Sequence, residues 1–389
     1  MSISKHILPI IVIAQFCCTS LWFAGNGVMD DLSSAFGLNS SALGHLTSAV
    51  QFGFIAGTLV FAILSIADRF SPSLVFFISA LLGATFNLAT ILESNTLTSL
   101  LSLRFMTGFF LAGIYPVGMK IAADYFDKGL GKSLGYLVGA LVLGTAFPHL
   151  LKAASADLPW RMVLITTSSI AVVGGLAILL FIPNGPYRKA SQKIDFKVIF
   201  NIFKNKSFQS AAFGYFGHMW ELYAFWAFVP IMLTTYAGLN AIAYFNIPVL
   251  SFLIIGLGGV ACVIGGYLSQ YFGTKKIATA ALLLSGICCL LSPLAFQLTT
   301  PSLFVGFLIF WGLVVIADSP LFSSLVAQNT FPDTKGTALT IVNCIGFSIS
   351  IISIQLINIL KDVVNPEVLY IALAMGPVVG LATLMQKKE

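Results

Sequence analysis

The chain has 389 residues, of which 58% are hydrophobic and only 9% charged, with a formal net charge of +6. A soluble domain of this size carries about a quarter charged residues, so fourteen acids and twenty Lys or Arg cannot cover a water-facing globule. They suffice for a bundle whose flanks face lipid, and their scatter in ones and twos, with no basic face or stripe, excludes a nucleic-acid partner.

Crossing the hydrocarbon core takes about twenty apolar residues in a helix. Such runs fall at 7–29, 42–66, 73–92, 97–123, 133–152 and 161–182, then at 208–235, 246–270, 276–297, 301–328, 337–360 and 367–385. The sequence therefore predicts an all-α integral membrane protein with twelve transmembrane helices. The first run continues through Ala24, Gly25 and Asn26, so it reads as a retained helix rather than a cleaved leader. Six cysteines (Cys17, Cys18, Cys262, Cys288, Cys289, Cys344) lie inside apolar runs without metal-ligand spacing. They read as packing residues, and no metal or cofactor is expected.

The loops predict orientation. With the amino terminus inside, fifteen Lys or Arg fall on the cytoplasmic side, and only Lys152, Arg161 and Lys361 fall outside. That asymmetry places both termini in the cytoplasm. The longest hydrophilic stretch follows Pro183 and divides the chain into six-helix bundles at 1–183 and 208–389, joined by a cytoplasmic loop at 184–207. Ile194, Phe196, Ile199, Phe200 and Phe203 alternate with lysines there, which fits either an amphipathic helix on the inner headgroup layer or a solvated tether. The halves also repeat: Gly108 and Pro116 correspond to Gly312 and Pro320, both offset by 204.

The loop after the second span reads Asp68-Arg69-Phe70, preceded by Leu64 and followed by Ser71-Pro72-Ser73. Its counterpart after the eighth span keeps Gly266, Phe272, Gly273, Lys275 and Lys276 but has Gln270-Tyr271 where the first copy has Asp-Arg. The fourth span carries Arg104 four residues before Gly108, then Gly113 and Pro116. With these motifs the sequence resembles the major facilitator superfamily over essentially its whole length. The resemblance implies secondary transport by alternating access around a central cavity lined by spans 1, 2, 4, 5, 7, 8, 10 and 11. It is incomplete in span five, where Gly135, Gly139, Gly144 and Phe147-Pro148 match the family's antiporter motif only in part. The arginines of the nitrate branch are missing from spans two and eight.

Ionisable side chains at membrane depth are costly and face a bundle interior or a cavity. Glu221 lies near the centre of span seven, with His218 one turn before it on the same face. A carboxylate beside an imidazole has two charge states close in energy, so the pair is the leading candidate for proton coupling; the competing reading is a fixed hydrogen-bond partner. Asp318, beside Pro320, is a candidate for coupling or for stabilising a kink. Arg104 either modulates protonation, as the family motif implies, or snorkels outward. Asp68, Arg69, Lys120 and Asp124 are read as cytoplasmic charge contacts that lock one conformation.

Gln15, Trp22 and Asn26, recurring with Thr19 along one face of span one, are candidate cavity residues. So are Gln51, Tyr115, Tyr223, Trp226 and Asn343, although each is also plausible helix–helix glue. Neither the HExxH motif of zinc-dependent membrane enzymes nor the P-loop of ATP-driven pumps occurs. The expectation is a monomeric carrier in the cell (inner or plasma) membrane that takes up a small solute with protons. Efflux of a drug or metabolite by proton antiport is the alternative.

Overall fold

In the computed structural model of the chain the described residues are 6–126, 130–154, 159–188, 201–242, 245–331 and 334–385. All regular elements among them are helices, as an apolar environment demands of any chain that is not a closed barrel. Contacts divide the chain into two compact units, 1–193 and 194–389. Most of the stretch expected to lie on the headgroup layer, 189–200, is outside the described residues.

The first unit contains α1 (Ile7–Thr19), α2 (Met29–Phe36), α3 (Ala42–Ile63), the short α4 (Ile66–Arg69), α5 (Pro72–Ala89), α6 (Leu97–Leu111), α7 (Tyr115–Tyr125), α8 (Leu130–Ala154) and α9 (Arg161–Phe181). The second contains α10 (Lys206–Leu239), α11 (Ile247–Gly256), α12 (Gly258–Phe272), α13 (Thr274–Phe296), α14 (Pro301–Ala317), α15 (Ser319–Gln328), α16 (Lys335–Leu360), the short α17 (Pro366–Leu369) and α18 (Met375–Leu384). Local chemistry sets several ends. Thr96 and Ser99 form a reciprocal capping box that starts α6. Asn205 accepts from the backbone N–H groups of Ser207 and Phe208 to start α10. Gly273, at φ +91°, makes the turn between α12 and α13 that a side chain would strain.

Among the described residues eleven helical stretches are long and apolar enough to cross a membrane. The expected twelfth differs. Its helix runs only from Ile7 to Thr19, too short alone to span the core. Turns then lead to a 3₁₀ segment at Asn26–Val28 and to α2, which is polar on one face. The continuous face expected from Gln15 to Asn26 is therefore broken after Thr19. Among the described residues four other stretches are interrupted rather than continuous: α6 and α7 at Ala112–Ile114, α11 and α12 at Leu257, α14 and α15 at Asp318, and α17 and α18 by a 3₁₀ segment at Tyr370–Ala374. Pro116 and Pro320 stand at the start of α7 and α15, where a missing N–H costs nothing.

Close packing inside each unit rests on small residues. A Cβ on Gly108 would collide with the carbonyl oxygen of Val50, and one on Gly312 with that of Ile254. The same contact thus recurs with every residue shifted by 204, which is what duplication of a six-helix unit predicts. Outward faces carry Val173, Leu180 and Phe181 on α9, and Val260 and Ile264 on α12, all more than half exposed. Such a surface suits acyl chains.

Candidate functional site

The most polar point of the second unit lies on α10, whose middle, from Gly214 to Val229, is buried on all sides. Glu221 sits at its centre with no exposed surface. Three donors from two other helices reach its carboxylate. The Trp311 indole N–H donates to Oε1 at 2.6 Å, the Cys289 thiol to the same oxygen at 3.3 Å, and the Ser285 hydroxyl to Oε2 at 2.8 Å. Ser285 Oγ also lies 3.1 Å from the Leu282 carbonyl, so its single proton has two acceptors. The Trp311 ring packs on Phe225 at 4.7 Å, which fixes the indole toward the acid.

His218, one turn earlier, does not turn to Glu221. Its Nδ1 lies 2.7 Å from Oδ1 of Asp318, and both side chains are fully buried. Asp318 occupies the junction between α14 and α15, where its own carbonyl accepts from the N–H groups of Leu321 and Phe322. The imidazole is flanked by the rings of Tyr215 and Phe322 at 6.0 and 6.4 Å. His218 Nε2 and Asp318 Oδ2 have no hydrogen-bond partner among the described residues. The expected Glu221–His218 couple is therefore two sites: a caged carboxylate, and a buried imidazole–carboxylate pair at a helix interruption.

The aromatic residues of α10 do not gather on one platform. The Trp220 indole donates to the Ala372 carbonyl at 3.1 Å. Tyr223 contacts Trp226 edge-on at 5.4 Å and Phe347 of α16 at 5.2 Å. Their surroundings are those of helix–helix packing. Asn343, also on α16, is half-buried.

In the first unit Arg104 is buried, not snorkelling. Its Nη2 donates to the carbonyls of Leu21 at 3.1 Å and Trp22 at 2.6 Å, and its Nη1 to Asn87 Oδ1 at 2.9 Å. Those carbonyls belong to the turns after α1, so the guanidinium satisfies acceptors that the broken helix leaves open. Asn87 in turn donates to Ser168 Oγ at 3.0 Å and Thr167 Oγ1 at 3.3 Å. Asn26 donates to Thr47 Oγ1 at 2.8 Å, and Trp22 lies on Phe54 at 4.8 Å. Gln15 is buried with its carboxamide directed at Gly118, and Gln51 is buried on α3. Neither amide finds a hydrogen-bond partner among the described residues. Tyr115 opens α7 half-buried.

The charged cluster at the end of α3 and α7 comes together in part. Lys120 Nζ lies 2.7 Å from Asp68 Oδ1. Arg188 donates to the carbonyls of Asp68 and Phe70 at 3.0 and 2.8 Å, and the Asp124 carbonyl accepts from Tyr187 N–H. Arg69 is exposed. Sequence reasoning missed Ser285, Cys289, Trp311, Asn87 and Arg188. Only Asn87 carried a signal, as the one amide in its span.

Among curated proteins none matches significantly. Solved structures do. A mutant of the nucleoside transporter NupG aligns with a TM-score of 0.73 at 16% identity over 98% of each chain. A bacterial homologue of the human lysosomal transporter Spinster, in an inward-facing and unoccupied conformation, aligns with a TM-score of 0.68 at 14% identity over 98% of this chain and 94% of that one. At such identities the likeness speaks for fold. The sequence model described as Major Facilitator Superfamily matches residues 11–354. With that match, paired interrupted helices and buried polar centres inside lipid-facing bundles, the chain belongs to the Major Facilitator Superfamily and is a multi-pass membrane transporter, not an enzyme.

Proposed function

We propose that the chain takes up a small solute together with protons by alternating access, as a monomer in the cell (inner or plasma) membrane. In this reading α1 with its irregular continuation is the twelfth span, and both termini are cytoplasmic. The observation that carries the coupling is the His218–Asp318 pair. A buried imidazole 2.7 Å from a buried carboxylate can hold one shared proton as an ion pair or be left without it. The unprotonated state keeps a charge in low dielectric with only the dipoles of the junction to face it. The pair spans α10 and the interruption between α14 and α15, so a change in its protonation bears on a joint already free of continuous helical hydrogen bonds. Oδ2 and Nε2, unpartnered among the described residues, are the atoms through which a proton enters and leaves. Glu221 anchors the neighbouring turn, while Asp68, Lys120 and Asp124, with Arg188, hold one conformation from the cytoplasmic side. The partial antiporter motif around Phe147 and Pro148 favours uptake over efflux. Because the NupG structure aligned above is that of a nucleoside transporter, nucleosides are the first solutes to try.

The test is accumulation of radiolabelled uridine by proteoliposomes under an inward proton gradient. Asp318→Asn and His218→Gln are expected to abolish gradient-driven accumulation and leave exchange across a symmetric pH. Accumulation in both variants equal to that of the native chain removes the coupling assignment. Impermeant maleimide labelling of a cysteine added at either terminus from outside intact cells removes the topology.

A further inference from the structure

We infer that the first unit carries a binding site for an uncharged solute whose donor and acceptor groups lie side by side, built from Gln51, Thr145 and His149 around the interruption of the first span. The inference deepens the transporter reading above by naming the class of solute. Backbone without regular helical bonding is tolerated at membrane depth only where protein encloses it or where it lines a cavity. Carriers place their sites at such interruptions. Here the interruption follows Thr19 and ends at the 3₁₀ segment starting at Asn26. Arg104 closes one side of it through the carbonyls of Leu21 and Trp22.

Two other helices approach the same segment. On α3, Thr47, Gln51 and Phe54 form one stripe at helical spacing. Thr47 accepts from Asn26, and Phe54 lies on Trp22, so Gln51, between them, is held against the interruption. On α8, Gly144 packs beneath Thr19 and the Phe16 carbonyl, and a Cβ on Gly27 would come within 2.8 Å of Pro148 Cβ. Thr145 and His149 each follow one of those contacts by one residue. Gln51 and Thr145 have no exposed surface, and His149 is 3% exposed. Yet both amide atoms of Gln51, Thr145 Oγ1 and His149 Nε2 have no hydrogen-bond partner among the described residues. Buried polar groups are normally satisfied, and four unsatisfied atoms flanking one interruption are groups held ready for a ligand.

Their chemistry selects it. A carboxamide presents an acceptor and a donor from one plane, and the imidazole and hydroxyl add to both kinds. Among the described residues no unopposed charge is found with them. Arg104 is committed to three protein acceptors, and Lys152 and Arg161 are paired with Asp31 and Glu93. A charged solute entering here would lose its hydration without a counter-charge. A lactam or nucleobase edge, or a pair of vicinal hydroxyls, would be matched.

The test is equilibrium binding to the full chain in lipid nanodiscs, with no proton gradient, so that a failure of coupling does not affect it. The probes are uridine, glucose, uridine 5′-monophosphate and arginine. Uridine or glucose is expected to bind, and the two charged probes are not. Gln51→Leu removes two buried unpartnered atoms, so the variant should fold as well as the native chain while losing binding by about tenfold or more. His149→Phe should weaken the same probe. Binding of a charged probe, undiminished binding in Gln51→Leu, or no binding of either neutral probe at about 10 mM, where even a millimolar site is mostly filled, overturns the inference.

Discussion

Replacing Glu221 separates a proton carrier from an anchor, and the geometry fixes what each should do. In Glu221→Gln the amide oxygen can keep the place of Oε1, still accepting from Trp311 at 2.6 Å and Cys289 at 3.3 Å. The new NH₂ then faces Ser285 Oγ, which turns its own proton to the Leu282 carbonyl 3.1 Å away. Every partner stays satisfied, so the change in stability should stay within about 1 kcal/mol, the range of one exchanged hydrogen bond. Glu221→Leu has nearly the same length but no acceptor. It strands the buried Trp311 N–H, at about 1–3 kcal/mol for one unsatisfied donor. Ser285 escapes through Leu282, and a thiol is a weak donor, so Trp311 dominates the loss. The expected order of thermal melting in micelles is native, then Gln slightly below, then Leu clearly lower. Uptake under a proton gradient should survive in Glu221→Gln within about twofold, because no charge state used in the cycle is removed. A Gln variant that melts like the native chain yet no longer accumulates solute against the gradient would refute this and move the proton to Glu221.

Three further outcomes follow from the packing. Arg104→Lys leaves one ammonium for three acceptors spread over Leu21, Trp22 and Asn87, so stability should fall by about 1–3 kcal/mol; amide exchange by mass spectrometry should quicken at 20–25, and unchanged exchange there would deny the capping role. Gly108→Ala and Gly312→Ala force a methyl into a facing carbonyl oxygen, which should lower melting by more than about 1 kcal/mol each. Gly135→Ala, with open space around its Cα, is the control and should match or exceed the native chain. For Lys120 and Asp68, whose side chains are 21% and 15% exposed, a double-mutant cycle should give a coupling of about 1 kcal/mol or less, with a shift in the ratio of inward to outward accessibility measured by cysteine labelling; an unaltered ratio removes the lock.

How much of this was legible in sequence depended on the distance over which each feature is decided. Runs of apolar residues located eleven long stretches within a few residues, because lipid acts on every position of a helix at once. The interruptions were harder. Pro116 and Pro320 stood at two of them, but Leu257 and the turns after Thr19 carry no proline, only the weaker signal of neighbouring glycines at 256, 258 and 259 and at 25 and 27. Arg104 was legible as a buried cation, but its acceptors were not, since two of them are main-chain carbonyls that every residue possesses. The pairing of His218 was misread for the same reason. Spacing on one helix favours Glu221, three residues away, whereas the partner that wins, Asp318, is brought in by tertiary packing a hundred residues along the chain.

Aligned by the duplication, the two units differ at the position of the ionisable pair. With α6–α7 and α14–α15 related by a shift of 204, Gly118 corresponds to Phe322. In one unit the residue facing Gly118 is Gln15, and in the other the residue beside Phe322 is His218, a shift of 203. Asp318 corresponds to Ile114. The same pocket between the first and fourth helices of each repeat therefore holds an amide with no carboxylate in one copy, and an imidazole with a carboxylate in the other. A carrier made of two copies that both took protons would have to move two charges in step. Confining the imidazole–carboxylate pair to one copy would leave the corresponding position of the other free to specialise in hydrogen bonding. On the function proposed above, the amide, hydroxyl and imidazole beside the interruption after Thr19 would serve solute recognition in one repeat, and the His218–Asp318 pair would serve energy coupling in the other.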